Sequence, residues 1–310
     1  MSFDIVAHKK WWFTLSSVLV VLSVISIFIN GFNFGIDYTG GTILDLQFKQ
    51  PVTVAQVREV IDDSNMNLEN SVIQLSGVTD QESSQEVMIR MRNLESDESK
   101  AISDQLNEKL GGAEVKRIES VGAVIGSEVT KNAVTSLAVA FIALAAYISI
   151  RFEYKIAISA IVSILHDLIM VLGFFSFFQL EIDASFLAAI LTVVGYSKNE
   201  AVVIFDRVRE NMAPFKHKDK TKADIPFILE TSVTQCLRRA LFTTFTTLIT
   251  IVILAFFGIN IPSLSEFALP IIFGILSGLF SSIFLAPSIW GMLMDLKNKK
   301  TVQKAKAKRR

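Results

Sequence analysis

Near the middle of the chain, Gly195-Tyr196-Ser197-Lys198-Asn199-Glu200 interrupts an apolar run, Phe186–Phe205, that is long enough to cross a bilayer. Charged groups at membrane depth cost about 2.5–3.5 kcal/mol each even on the lenient insertion scale, and they usually mark ion or substrate pathways. Glu200 is therefore the first candidate for ion-linked chemistry. A coupling carboxylate must bind and release a proton or ion inside the membrane. Burial favours the neutral form of such a group and a nearby cation favours the charged form, so occupancy can switch with conformation. His166-Asp167 falls inside another apolar span, where a proton relay and a hydrogen-bonded pair that fixes helix packing are equally good readings. Thr243, Thr244, Thr246, Thr247 and Thr250 make a later span rich in hydroxyls. That suits a hydrated path, or hydrogen bonds between helices. No metal site is expected, because no cluster of ligands has suitable spacing. The single cysteine, Cys236, supports neither a disulfide in the polar region nor a cysteine nucleophile.

The elements that must position these groups follow from hydropathy. Half of the residues are hydrophobic and the mean hydropathy is +0.47, too greasy for one soluble domain. A window of about 20 residues marks six spans: Phe13–Asn30, Ala133–Ile150, Ile156–Phe178, Ser185–Phe205, Leu241–Gly258 and Phe267–Leu296. The first lacks a small-x-small cleavage site, so it is expected to be an uncleaved anchor. With the N-terminus inside, the cytoplasmic segments hold twenty Lys and Arg, among them Lys216, Lys218, Lys220 and Lys222. The outer stretch holds nine, against seventeen Asp and Glu. The positive-inside rule then puts both termini in the cytoplasm and residues 31–132 outside. The expected organisation is an N-terminus and first span (1–30), an outer domain (31–132), a five-span core (133–296) with a cytoplasmic loop (206–240), and a basic tail (297–310). That tail suits anionic lipid headgroups.

The outer domain is predicted to be ferredoxin-like α+β. Thr42–Phe48 alternates as a half-buried strand, and Thr53 with Gln56 three residues on makes a capping box before Val57, Val60 and Ile61. Strands are expected at Ser71–Leu75 and Glu86–Arg92, a helix at Ser96–Leu110 with Ile102 and Leu106 inward, and a last strand at Glu114–Val121. The order is β-α-β-β-α-β. The domain has no His, no Cys and no phosphate-cradling loop, so binding or leverage fits it better than catalysis. Ahead of it, Gly35-Ile36-Asp37-Tyr38-Thr39-Gly40-Gly41-Thr42 reads equally well as a tight turn and as a hinge.

That octapeptide resembles the GIDFTGGT signature of the SecF family of protein-export membrane subunits. Residues Gly195–Asn211 are similar to the family's GYSxNDxVVxFDRxREN, and His166-Asp167 and Ser232–Leu248 match its other blocks. The resemblance spans essentially the whole chain. It implies a six-helix half of a resistance–nodulation–division core that pairs with SecD and works beside the SecYEG channel, with YajC a further partner. Proton or sodium flow would drive outer-domain movements that pull on an unfolded, translocating polypeptide in the bacterial inner membrane. No cofactor, nucleic acid or enzymatic activity is implied. The resemblance gives Glu200 most of the mechanistic weight, with Asn199 in the same motif, and sets Arg239 beside the ion route. It also marks Asp206, Arg207 and Arg209 as the membrane-exit motif. Stop-transfer anchoring and local salt bridging are the plainer reading of that motif.

Two residues depart from the family pattern. Glu200 stands where Asp is usual, and Lys198 where an apolar residue is usual. Lys198 and Glu200, two apart on a helix, point to different faces. Lys198 is expected to snorkel toward the cytoplasm, the other option being a SecD acid. An ion-driven motor and a non-coupling scaffold for SecD and the translocon both stay open. A half of a small-molecule or lipid transporter from the same superfamily is the weaker third.

Overall fold

A computed structural model describes residues 8–64, 66–69, 71–76, 83–215, 224–258 and 262–294. The basic tail 297–310 and Lys216, Lys218, Lys220 and Lys222 lie outside the described residues. In chain order the elements are α1 (Lys9–Asn30), β1 (Asn33–Phe34), α2 (Ile36–Thr39), β2 (Gly41–Thr53), α3 (Val54–Asp62), β3 (Val72–Ser76), β4 (Ser83–Met91), α4 (Ser96–Lys109) and β5 (Ala113–Val121). There follow α5 (Ala123–Arg151), α6 (Tyr154–Phe178), β6 (Glu181–Ile182), α7 (Ala184–Met212), α8 (Ile225–Phe257) and α9 (Pro262–Phe280). A π-helical turn, Ser281–Leu285, continues α9 toward Met294. The chain divides into two compact units, residues 34–135 and residues 1–33 with 136–310.

In the first unit, four antiparallel strands run in the order β3-β4-β2-β5, as the β-α-β-β-α-β order requires. Leu44, Leu46 and Phe48 alternate along β2 toward Val57, Val60 and Ile61 of α3 and Ile102 and Leu106 of α4, all fully or nearly fully buried. The capping box forms. Thr53 Oγ1 accepts from the Gln56 amide at 3.3 Å, and Gln56 Oε1 accepts from the Thr53 amide at 2.9 Å. β2 is longer than its alternating core because the chain stays extended to Thr53, with a register shift between Gln47 and Val52. The other face of the sheet carries Arg117 Nε on Asp45 Oδ2 at 2.7 Å.

The paired glycines are sterically required. Gly40 has φ +71° and Gly41 φ +139°. A Cβ on Gly40 would meet Ala123 Cα at 2.9 Å, and one on Gly41 would meet the Met91 carbonyl at 2.8 Å. The turn is a tightly packed joint within its own unit, seated against the start of α5.

In the second unit, six described helices are long and apolar enough to cross a membrane. Their order matches the six expected spans, but several run further. α5 begins ten residues before Ala133, and α8 starts at Ile225 rather than Leu241. Hydropathy marks where lipid is tolerated, whereas helix ends follow capping: Asp224 caps α8 through the Phe227 amide at 3.2 Å. Two contacts are made by small residues. A Cβ on Gly173 of α6 would fall 2.1 Å from Ser23 Cβ of α1, and one on Gly274 of α9 would fall 2.3 Å from Val193 Cγ2 of α7. Close approach of this kind lets hydroxyls reach across, as in the 3.2 Å pair Ser26–Ser176.

Gly41→Ala is expected to destabilise the first unit by about 1–3 kcal/mol, through strain at positive φ and the Met91 carbonyl. Gly111→Ala, at φ +77° with open space, should cost only the strain of roughly 1 kcal/mol. Thermal unfolding of the two purified full-length variants checks this. Equal losses would rule out the packing constraint at Gly41.

Candidate functional site

The polar groups of the membrane unit converge on two carboxylates. Asp167, 1% exposed on α6, accepts four hydrogen bonds from three helices. Its Oδ1 takes Ser277 Oγ at 2.7 Å and pairs with His166 Nδ1 at 3.1 Å. Its Oδ2 takes Ser197 Oγ of α7 at 2.6 Å and Ser281 Oγ at 2.7 Å. A carboxylate offers about four lone-pair sites, so Asp167 is saturated. Ser277 and Ser281 lie four residues apart, on one face of the helical segment. Gly278 beside them leaves room, since a Cβ there would stand 3.4 Å from Ser197 Cβ and 3.7 Å from Asp167 Oδ2.

Glu200 sits three residues beyond Ser197 on α7, on the same face, and is 6% exposed. Thr244 Oγ1 of α8 donates to its Oε1 at 2.7 Å, and the Tyr196 hydroxyl stands 3.4 Å from that same threonine. Glu200 Oε2 is buried with no hydrogen-bond partner. The two acids thus belong to one buried layer that runs from α9 through α6 and α7 to α8, and no described Lys or Arg forms an ion pair with either.

The structure distributes the remaining expected residues unevenly. Arg239 is exposed and does not pair with Glu200. It stands five residues before Thr244, about 7.5 Å along the helix, and lines a cavity of about 590 Å³ with Asp206, Arg207, Arg209, Glu210 and Gln235. Around that cavity Arg209 meets Asp206 at 3.2 Å and Arg207 meets Glu210 at 2.5 Å. These pairs are half-exposed, where ion pairs contribute about 0–1 kcal/mol, and they fit the local salt-bridging reading. Asn199 is exposed rather than turned into the site. His166 is buried, with Nε2 unpartnered. Gly35, Asp37, Gly40 and Gly41 belong to the other unit. Among the described residues no group of three or more His, Cys, Asp or Glu could hold a metal.

Two details differ from the sequence reading. Lys198 holds its ammonium 4.3 Å from the centre of the Tyr147 ring on α5, a cation–π contact that neither expectation named. Among the five threonines only Thr244 reaches another helix. Thr243, Thr246, Thr247 and Thr250 donate to backbone carbonyls one turn back, because a helical hydroxyl can always satisfy itself that way. Conversely, Ser197, Ser277 and Ser281 hold the site together although the sequence reading assigns them no role. The only trace of them in the sequence was serine at helical spacing inside an apolar span.

The family description "Protein export membrane protein SecD/SecF, C-terminal" matches residues 101–296, and "SecD/SecF GG Motif" matches residues 25–52. The chain is 41% identical over 290 residues to the protein translocase subunit SecF of Acidaminococcus fermentans, across 93% of this chain and 96% of that one. The chain belongs to the SecD/SecF family. Within it, the chain is a SecF-type membrane subunit of the protein-export translocase, a transport protein and not an enzyme. The Bacillus subtilis translocase subunit SecDF is 35% identical over 93% of this chain and 37% of its own length. The crystal structure of SecDF from Thermus thermophilus, described as a translocon-associated membrane protein, superposes with a TM-score of 0.82 at 28% identity. That match covers 96% of this chain and 39% of that one. Fusion of the two halves in those SecD/SecF proteins implies SecD as the partner of this chain.

Thr244→Val removes the hydroxyl that donates to Glu200 without changing side-chain shape. It is expected to lower stability by about 1–3 kcal/mol, with Thr244→Ser restoring most of the loss, as read by thermal unfolding in detergent. Indifference to Thr244→Val would mean that Glu200 draws nothing from that contact.

Proposed function

We propose that this chain is the ion-coupled SecF half of a SecD–SecF machine that uses a proton gradient, or in its place a sodium gradient, to promote SecYEG-dependent export. The observation that carries this reading is Glu200: a carboxylate within a span long enough to cross a membrane, buried, with one oxygen open and no described Lys or Arg paired to it. Such a group can take up and release a proton as its surroundings change. Moving one charge through 100 mV yields about 2.3 kcal/mol, so several ions are needed for large conformational work. Arg239 fits a second conformation, in which a shift along α8 brings its guanidinium toward Glu200.

On this reading residues 31–132 face the periplasm, both termini are cytoplasmic, and the Gly40-Gly41 joint transmits motion to the outer domain, which handles the unfolded polypeptide. The exposed apolar faces of α5 and α8 suit packing against SecD or lipid. SecYEG and YajC complete the set of protein partners, and the tail 297–310 suits anionic lipids. The scaffold reading draws on one observation, the separation of Arg239 from Glu200.

Inverted vesicles holding this chain with SecD and the translocon, loaded with a secretory precursor, test the proposal under proton and sodium gradients imposed separately. Glu200→Gln is expected to abolish the gradient-dependent part of export, and Glu200→Asp to retain it with the same ion. Export by Glu200→Gln equal to wild type under both gradients would leave only the scaffold.

A further inference from the structure

Neither Asp167 nor Glu200 lines the cavity of about 590 Å³ between α7 and α8. The cavity sits where the apolar runs of both helices stop, at Phe205-Asp206 on α7 and at Arg239-Ala240 on α8. In a membrane that level belongs to the headgroups and to the side chains that anchor among them. Val203, Ala213 and Cys236 give the cavity an apolar wall, and Arg207, Arg209 and Arg239 line it with positive charge.

The charges do not balance. Three guanidiniums share the cavity with two carboxylates, and both carboxylates are engaged. Asp206 meets Arg209 at 3.2 Å and also draws Arg151 of α5 at 3.9 Å. Glu210 meets Arg207 Nη1 at 2.5 Å. Arg207 Nε donates to Gln235 Oε1 at 2.6 Å, which leaves Nη2 with no partner among the described residues. Arg239 forms no ion pair among the described residues, although two carboxylates line the same cavity. Its neighbour Arg238 is committed elsewhere, with its guanidinium 5.6 Å from the centre of the Phe242 ring. The uncommitted arginine is the one that faces the cavity.

We propose that this cavity binds the phosphate of an acidic phospholipid, with Arg239 and the open edge of Arg207 as its donors. A guanidinium presents parallel N–H groups that match two phosphate oxygens, stays charged at any physiological pH, and is weakly hydrated enough for a partly apolar setting. The apolar wall selects a lipid over a free anion. A soluble phosphate would use the arginines alone, whereas a lipid also covers Val203 and Cys236 with its chain. A zwitterionic headgroup is disfavoured, because its cation would meet the same excess of arginine. The site is separate from the basic tail. It does not rest on the ion-coupling reading, since it needs Arg239 only where the structure already holds it.

The test uses the full-length chain purified with its SecD partner and stripped of lipid in detergent. Phosphatidylglycerol, phosphatidylcholine or inorganic phosphate is added, and native mass spectrometry counts bound lipid while thermal unfolding is followed alongside. Phosphatidylglycerol is expected to be retained and to raise the unfolding temperature, and the other two to do neither. Arg239→Gln should lower retention several-fold. Arg238→Gln, adjacent and equal in charge, should leave it unchanged. Both arginines are exposed, so neither change threatens the fold. Equal losses in the two variants would mean general surface charge and overturn the site, as would retention indifferent to both. Stabilisation by inorganic phosphate that disappears in Arg239→Gln would assign the cavity to a soluble anion and overturn the lipid. Binding is read rather than export, so failure of the Glu200 coupling reading in vesicles would be seen separately.

Discussion

Two buried carboxylates in the membrane-spanning helices, neither paired with a described Lys or Arg, set the constraint on which the helical unit depends. A carboxylate there must find donors from neighbouring helices, because water and cations are scarce at that depth. For Asp167 the donors are three serine hydroxyls and an imidazole, and serine is short. Its oxygen reaches a partner on the next helix only if the backbones approach closely, which explains the glycines around the site. Gly278 keeps α9 open toward Ser197, and Gly274 takes the Val193 side chain where a Cβ could not stand. Substituting any bulky residue there would separate the helices and strand the acid. The packing of α6, α7 and α9 and the satisfaction of Asp167 are one constraint seen from two sides.

The same logic explains how a lysine is accommodated beside the site. Lys198 is two residues from Glu200, about 200° around the helix, so it leaves the acidic layer and lies over Tyr147 of α5. Its charge is held by the ring quadrupole. The acidic layer therefore keeps its character despite a lysine in the motif, and α5, largely exposed to its surroundings, gains an attachment to α7 beside the Arg151–Asp206 pair. Glu200 acts differently. Its carboxylate reaches Thr244 on α8, which ties the layer to a fourth helix.

Much of this was legible in the sequence. The six spans, the β-α-β-β-α-β order and the Thr53 capping box all rest on periodicity or on contacts within four residues, and those survive into the fold. Glu200 was conspicuous for another reason, since a charged residue in an apolar run stands out whatever surrounds it. What sequence could not supply was rotation. Thr244 and Thr243 are adjacent and identical in type, yet one crosses to Glu200 and the other bonds its own backbone, because only the helix orientation distinguishes them. Ser277 and Ser281 were invisible for the same reason, and a π-turn has no compositional mark. Arg239 was placed near the acid by motif, and its exposed position depends on the rotation of α8, which turns Thr244 inward and Arg239 outward.

The two acids also differ in what they can still accept. Asp167 has each acceptor position occupied, while Glu200 accepts from Thr244 and keeps an oxygen that faces no donor. The saturated acid ties α6, α7 and the α9 segment together, because its donors come from all three. Ser197 and Glu200 share one face of α7, so any rotation of that helix acts on a donor to one acid and on the other acid together. That shared face, more than either acid alone, makes the layer a single packing unit.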